Sequence, residues 1–248
     1  MHPLAPIVAI VFTLTPLYGQ TTPTSPFPAP PPTQAPDVSN DPIAIQLTTL
    51  RDTFAKKLAD AGATCAIAPP KLVFQNVKSL ANYDIEANTL TTNLWQQLST
   101  QEKSAFYRLA GPNPTLEDAH REFETGIHHW VFIHEMGHWA QACLHQNEDR
   151  MPYDYEYGAN RIAMSFWHEA DKKLLEHIIK HFEDIQNYET SPVPQGQDVE
   201  EYFNVNYDKI ANTPANTWFQ SQMILELYNR PTIPSFKESL QLPLYPGP

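Results

Sequence analysis

Beyond Asp41 the chain moves between two hydrophobic rhythms. Ile43, Leu47, Leu50, Phe54 and Leu58 recur every three or four positions, the period of one helix face. Asp41 and Pro42 open that helix, because proline suits a first helical turn, and Gly62 closes it. The rhythm then shortens. "KLVFQNVKSL" and "NYDIEANTLTTNLW" are rich in β-branched and aromatic residues with Asn and Asp turn signals between them, which predicts two or three short antiparallel strands. Ser99 with Glu102 forms a capping box for a short helix through Leu109, stopped by "GPNP". Thr115 with Asp118 opens a further helical stretch to about His145, with Gly126 as a potential break. After the loop "QNEDRMPYD", Ala159, Ile162, Ala163, Phe166, Ala170 and Leu174 keep a helical period that predicts one helix from about Tyr155 to Asn187. "SPVPQGQ" reads as a loop, followed by helices over about Val199 to Ile210 and Thr217 to Tyr228. The elements add up to an α+β fold, mostly helical, with one small antiparallel sheet and no internal repeat.

Composition sets the outer boundaries. The 24 prolines of the 248 residues gather towards the two ends. An apolar run from Leu4 to Leu17 is too short, and too interrupted by Pro6 and Pro16, for a membrane span; it predicts a signal peptide over residues 1–20. A proline-rich linker over 21–42 follows, because closely spaced prolines favour an extended chain over a packed core. Residues 43–235 form the expected domain and 236–248 a proline-rich tail. The expectation is export to a periplasmic or extracellular space, with no stable membrane span after signal cleavage. Cys65 and Cys143 are an even pair, and in an exported chain they predict a disulfide. A net charge of -12 argues against nucleic acid and anionic membranes as partners.

The chemistry sits in "FIHEMGHWAQACL". Residues four apart share a helix face, so His134 and His138 can aim their imidazoles at one point, as two zinc ligands must. Glu135 lies about 100° around the helix, placed to take a proton from a metal-activated water without ligating the ion. With ten histidines in the chain, such a pattern arises by chance in roughly a few per cent of sequences. A third ligand is therefore needed. His145 lies seven residues beyond His138, roughly 10 Å along the axis, and Cys143 faces about 140° away. Glu156, eighteen residues after His138 on the next predicted helix, reaches the open side of the histidines if the two helices pack antiparallel. Asn160, four residues on, can accept a hydrogen bond from a ligand histidine and fix its orientation. His128, His129 and the nearby aromatics read as packing or surface residues.

"HEMGH" followed by "EYGAN" resembles the gluzincin metallopeptidases, and the Glu-x-x-Ala-Asn form is similar to the ImmA/IrrE-type peptidases and related uncharacterised bacterial metallopeptidases. The resemblance covers about Asn82 to Trp167. It implies a zincin-like domain in which His134, His138 and Glu156 bind zinc (Zn2+), Glu135 is the general base and Asn160 braces a ligand. "NYDIEANTL" is similar to the strand that such families set before the motif helix, where an extended substrate lies along the sheet edge. No residue is singled out as the group that steadies the tetrahedral intermediate; His168, Tyr153, Tyr155, Tyr202 and Tyr207 are candidates. The leading expectation is an exported zinc metallopeptidase acting on a peptide or protein. A non-catalytic zinc-binding envelope module on the same fold, and a zinc hydrolase of non-peptide amides, stand beside it.

Overall fold

The computed structural model describes residues 41–146, 150–211 and 213–243. The expected signal peptide, the linker before Asp41 and residues 244–248 lie outside them. Helix α1 (Pro42–Asp60) starts where Asp41 accepts a hydrogen bond from the Ile43 amide at 2.8 Å. It buries Ala44, Leu47, Phe54 and Leu58, and the chain turns away at Gly62 with φ of 88°.

The sheet departs from expectation. Strands β1 (Lys71–Phe74), β2 (Ala81–Asp84) and β3 (Thr89–Thr92) lie in the order β1-β3-β2. β2 pairs antiparallel with β3, but β1 pairs parallel with it, so the sheet is mixed rather than antiparallel. The tight turn between β2 and β3 is held by Asp84, whose Oδ1 accepts from the amides of Glu86 and Ala87. The link from β1 to β2 steps across β3 instead. Asn93 clamps it, its side chain accepting from Val77 N and donating to Val77 O. Strand periodicity reports which side chains are buried and is silent on which strand is the neighbour.

Helices α2 (Thr100–Leu109) and α3 (Leu116–Phe123) begin at the capping boxes of Ser99 with Glu102 and Thr115 with Asp118. Gly126 does not break the helical path. Residues Glu124–Val131 wind as a π-helix that runs from α3 into α4 (Phe132–Cys143) without interruption. Gly126 is needed there for close approach: a Cβ would sit 2.6 Å from Nε2 of His181, a ring held by Glu122 at 2.7 Å.

The long helix expected over 155–187 is two helices, α5 (Pro152–Ala170) and α6 (Lys172–Tyr188). Asp171 between them is extended, at φ -156° and ψ 97°, and its side chain caps α6 through the Leu174 amide. Helices α7 (Val199–Ile210) and α8 (Pro214–Tyr228) come next, the latter starting earlier than expected at a first-turn proline. The expected tail also contains structure. A capping box of Ser235 with Glu238 opens α9 (Phe236–Gln241). Phe236 packs against Phe54 and Phe166. The buried Arg161 guanidinium donates to the carbonyls of Ser239, Leu242 and Pro243. Six residues are too few for a helical rhythm to stand out.

Cys65 and Cys143 are bonded, their Cα atoms 4.8 Å apart, which ties the end of α4 to the loop ahead of β1. Among the described residues no helix is long and apolar enough to cross a membrane.

In the π-helical segment, His128 Nε2 donates to Asn93 O at 2.9 Å while its Nδ1 is buried with no hydrogen-bond partner among the described residues. Burial pushes its pKa down to about 4, with His129 and His120 acting in the same direction. The unfolded chain therefore binds more protons between pH 6.5 and 4, so this residue contributes stability at neutral pH that is lost as pH falls. The depression from 6.5 to about 4 corresponds to roughly 3 kcal/mol. His128→Gln is expected to flatten the fall of Tm between pH 6.5 and 4. Parallel melts of the two proteins with chelator present check this, and superimposable slopes would refute it.

Candidate metal centre

Every residue of α4 from Phe132 to Cys143 is buried. Its polar side chains therefore cannot rely on water and must find partners inside the protein. Helix α5 supplies many of them. Gln141 bonds the Tyr155 carbonyl, Gly137 lies against Ala159, His134 meets Asn160, and Trp167 bonds the His129 carbonyl. Ascending one helix descends the other, so α4 and α5 are antiparallel. A Cβ on Gly137 would stand 3.0 Å from the Ala159 carbonyl oxygen; glycine and alanine at this crossing bring the two helices close.

At that crossing His134, His138 and Glu156 meet. Nε2 of His134 is 3.0 Å from Nε2 of His138 and 3.1 Å from Oε2 of Glu156, and the remaining side of the triangle is 3.7 Å. An ion bound tetrahedrally at 2.0–2.1 Å holds its ligands about 3.3–3.4 Å apart, and the triangle brackets that spacing.

Hydrogen bonds fix which ring nitrogens face inward. A carboxylate can only accept, so the Gln220 amide that meets Glu156 Oε2 at 2.8 Å presents its NH2 group there. Gln220 Oε1 then accepts from Asn160 Nδ2 at 2.7 Å, which leaves Asn160 Oδ1 to accept from His134 Nδ1 at 2.8 Å. Likewise Gln141 gives its NH2 to the Tyr155 carbonyl and accepts from His138 Nδ1 at 2.8 Å. Both imidazoles carry their proton on Nδ1. In the neutral rings, both Nε2 lone pairs point at each other and at a carboxylate, an arrangement that repels unless a cation sits between them. His134, His138 and Glu156 thus form a buried cluster able to hold a metal ion.

The electrostatics agree. Burial opposes charge on His138, yet the carboxylates of Glu156 and Glu135 lift its pKa above the usual imidazole range. Burial by itself would raise Glu156, but His134 and His138 outweigh it and hold the carboxyl well below its usual range. The pocket draws positive charge.

Glu135 faces the same space. Its Oε2 accepts from the Tyr83 amide at 2.7 Å, while Oε1 is buried with no hydrogen-bond partner among the described residues. Burial pushes its pKa up, partly offset by His138 and His134. One oxygen of the carboxylate is anchored and the other is left for a ligand.

The anchor comes from the sheet edge. Alternation along β2 turns the N–H groups of Ala81 and Tyr83 away from β3. The first bonds Ser79 O at 2.7 Å across Leu80, whose φ of 61° marks a strained turn. The second bonds Glu135. Both outward amides of this edge are engaged, so a peptide strand laid along β2 would donate to its carbonyls and receive nothing from its N–H groups.

The five candidate electrophiles separate. The Tyr207 hydroxyl donates to Glu156 Oε1 at 3.0 Å. Tyr155 stacks on the His138 ring with centroids 4.4 Å apart, and its hydroxyl is buried without a hydrogen-bond partner among the described residues. Tyr153 packs against Tyr157 and Phe203, and Tyr202 against Phe219. His168 lies twelve residues along α5 from Glu156, roughly 18 Å away, in a surface groove with Lys172 and Arg230.

Sequence reasoning missed Gln141, Gln220 and the Tyr83 amide. Gln141 was legible, three residues after His138 on a helix where such neighbours meet. Gln220 carried a weaker signal, a polar residue among Trp218, Phe219, Met223 and Ile224. The Tyr83 contact is made by backbone and has no side-chain signature.

No family model, curated protein or solved structure matches the chain. The functional reading rests on its own geometry.

Proposed function

We propose that the protein is an exported zinc metallopeptidase of the gluzincin type, in which His134, His138 and Glu156 hold the ion. The observation that carries this is the convergence of two fixed imidazole lone pairs and one carboxylate oxygen beside the unpartnered Oε1 of Glu135. Two nitrogens and an oxygen suit zinc, which bound there supplies Lewis acidity towards a carbonyl and lowers the pKa of a water. Glu135 takes the proton released and returns it to the leaving amine. Its Oε2, tethered to Tyr83, keeps Oε1 aimed at that proton, while Asn160 and Gln141 hold the two imidazoles in the required tautomer. The Ala81 and Tyr83 carbonyls are the acceptors that remain on β2 for N–H groups of a peptide. The Cys65–Cys143 bond supports export, since such bonds persist in oxidising compartments.

One observation favours the non-catalytic alternative. His134, Glu135, His138 and Glu156 are each no more than 4% exposed, as in a closed structural site. Metal analysis and peptide cleavage together separate the readings. The full chain is expected to bind about one zinc, to lose Tm when the ion is chelated, and to cleave members of a mixed peptide library. One tightly bound zinc with no cleavage of any peptide would favour the structural role. No bound metal after zinc is supplied would end both.

A further inference from the structure

We infer that Tyr207 is a positioning residue that keeps Glu156 a one-oxygen ligand and so preserves an open coordination position on the ion. The inference rests on the metal reading above and adds to it the coordination state of the site.

The two oxygens of Glu156 are treated differently. Oε2 faces both imidazoles and receives the Gln220 amide at 2.8 Å. Oε1 receives the Tyr207 hydroxyl at 3.0 Å. A carboxylate that rotates to share both oxygens with an ion has to pull Oε1 away from the Tyr207 hydroxyl in a buried setting, where an unmade bond is costly. Oε1 bonded to a phenol proton is also the weaker electron donor.

The fold delivers this contact with a register of its own. Asn204 Oδ1 receives the Tyr153 amide at 2.8 Å, and three residues further on each helix Tyr207 meets Glu156. Helices α7 and α5 thus run parallel here, with α7 pinned to the first turn of α5. Phe203 fills the space behind, its ring 5.8 Å from Tyr153, 5.3 Å from Tyr207 and 4.9 Å from Phe219. The C-terminal part of the chain, through Tyr207 and Gln220, therefore sets both oxygens of a ligand supplied by α5.

The consequence is chemical. A structural zinc site is closed by four protein donors, whereas a catalytic one keeps a place for water. Two imidazoles with a carboxylate bound through both oxygens approach the closed case. With the second oxygen held by Tyr207, the site stays three-liganded.

The test uses the full chain loaded with cobalt(II), whose visible bands report coordination geometry, and compares wild type with Tyr207→Phe and Tyr202→Phe. Tyr202 lies on the same helix, packed against Phe219, and serves as the control. Tyr207→Phe keeps the ring and its packing. It is expected to shift the cobalt bands to shorter wavelength with loss of intensity, as a second oxygen joins the ion. Azide, a small probe of the open position, is expected to bind Tyr207→Phe about tenfold or more weakly than wild type, the scale on which outer contacts act at metal sites. Tyr202→Phe should match wild type in both measurements. A Tyr207→Phe spectrum and azide affinity equal to wild type would overturn the inference, as would a weaker metal affinity with an unchanged spectrum. A wild-type chain that takes up neither zinc nor cobalt would instead overturn the metal reading, and this inference with it.

Discussion

Replacing Glu135 by glutamine is expected to leave metal content unchanged and to lower peptide cleavage by about 10²–10⁴-fold, the usual contribution of a general base. The two halves of that result come from different atoms. Metal binding would be the work of His134, His138 and Glu156, whose inward atoms lie within 3.7 Å of one another and do not include Glu135. The fold is expected to persist because a glutamine oxygen can still accept from the Tyr83 amide, as Oε2 does at 2.7 Å. The new NH2 group would occupy the place of the unpartnered Oε1. What is lost is the lone pair that receives a proton. Zinc content, Tm and turnover measured on one preparation decide the matter. Cleavage surviving in Glu135→Gln within a few-fold of wild type would remove this residue from the mechanism.

Glu156→Ala is expected to bring bound zinc from about one ion per chain to near none, and to destabilise the fold by roughly 3–5 kcal/mol, the cost of breaking a buried charged pair by deleting one partner. Two imidazoles 3.0 Å apart would remain with no anion between them and solvent-excluded surroundings. Gln220 and Tyr207 would each lose the acceptor they now share. Glu156→Gln separates the two effects, since it retains an acceptor and a similar volume while removing the charge. It should recover part of the stability and little of the metal. Elemental analysis with thermal melts, run with and without added zinc, reads both. Stoichiometric zinc in Glu156→Ala would show that the third ligand lies elsewhere.

The legible parts of this site share a physical origin. His134 and His138 sit four apart, and four residues make one turn of a helix, so their common face follows from the backbone alone. The same holds for Glu156 and Asn160 on α5, and for Gln141 beside His138. Caps were equally readable. Ser99 with Glu102 and Thr115 with Asp118 close over three residues, within reach of local hydrogen bonding. Ambiguous local signals misled in two places. Asp171 and its neighbours kept an apolar period across a helix boundary, and six residues of α9 were too short to show one.

Other features could not be read from any window of sequence. The parallel pairing of β1 with β3 depends on a connection crossing the sheet, held by Asn93 at a separation of sixteen residues. The Glu135 carboxylate is held by a backbone amide fifty-two residues away, and Glu156 is oriented by Tyr207 and Gln220 at separations of fifty-one and sixty-four. Such contacts exist only once helices pack, because the loss of water around buried polar groups is what forces each to find a particular partner. Local sequence carried the helix faces, the starts of α1, α2, α3 and α7 and the spacing of the candidate ligands, since these are settled within about one turn of backbone. Packing alone fixed the order of the strands, through the connection that crosses β3, and the tautomers of the two histidines and the hydrogen bonds that orient Glu156, through desolvation at the crossing of α4, α5, α7 and α8.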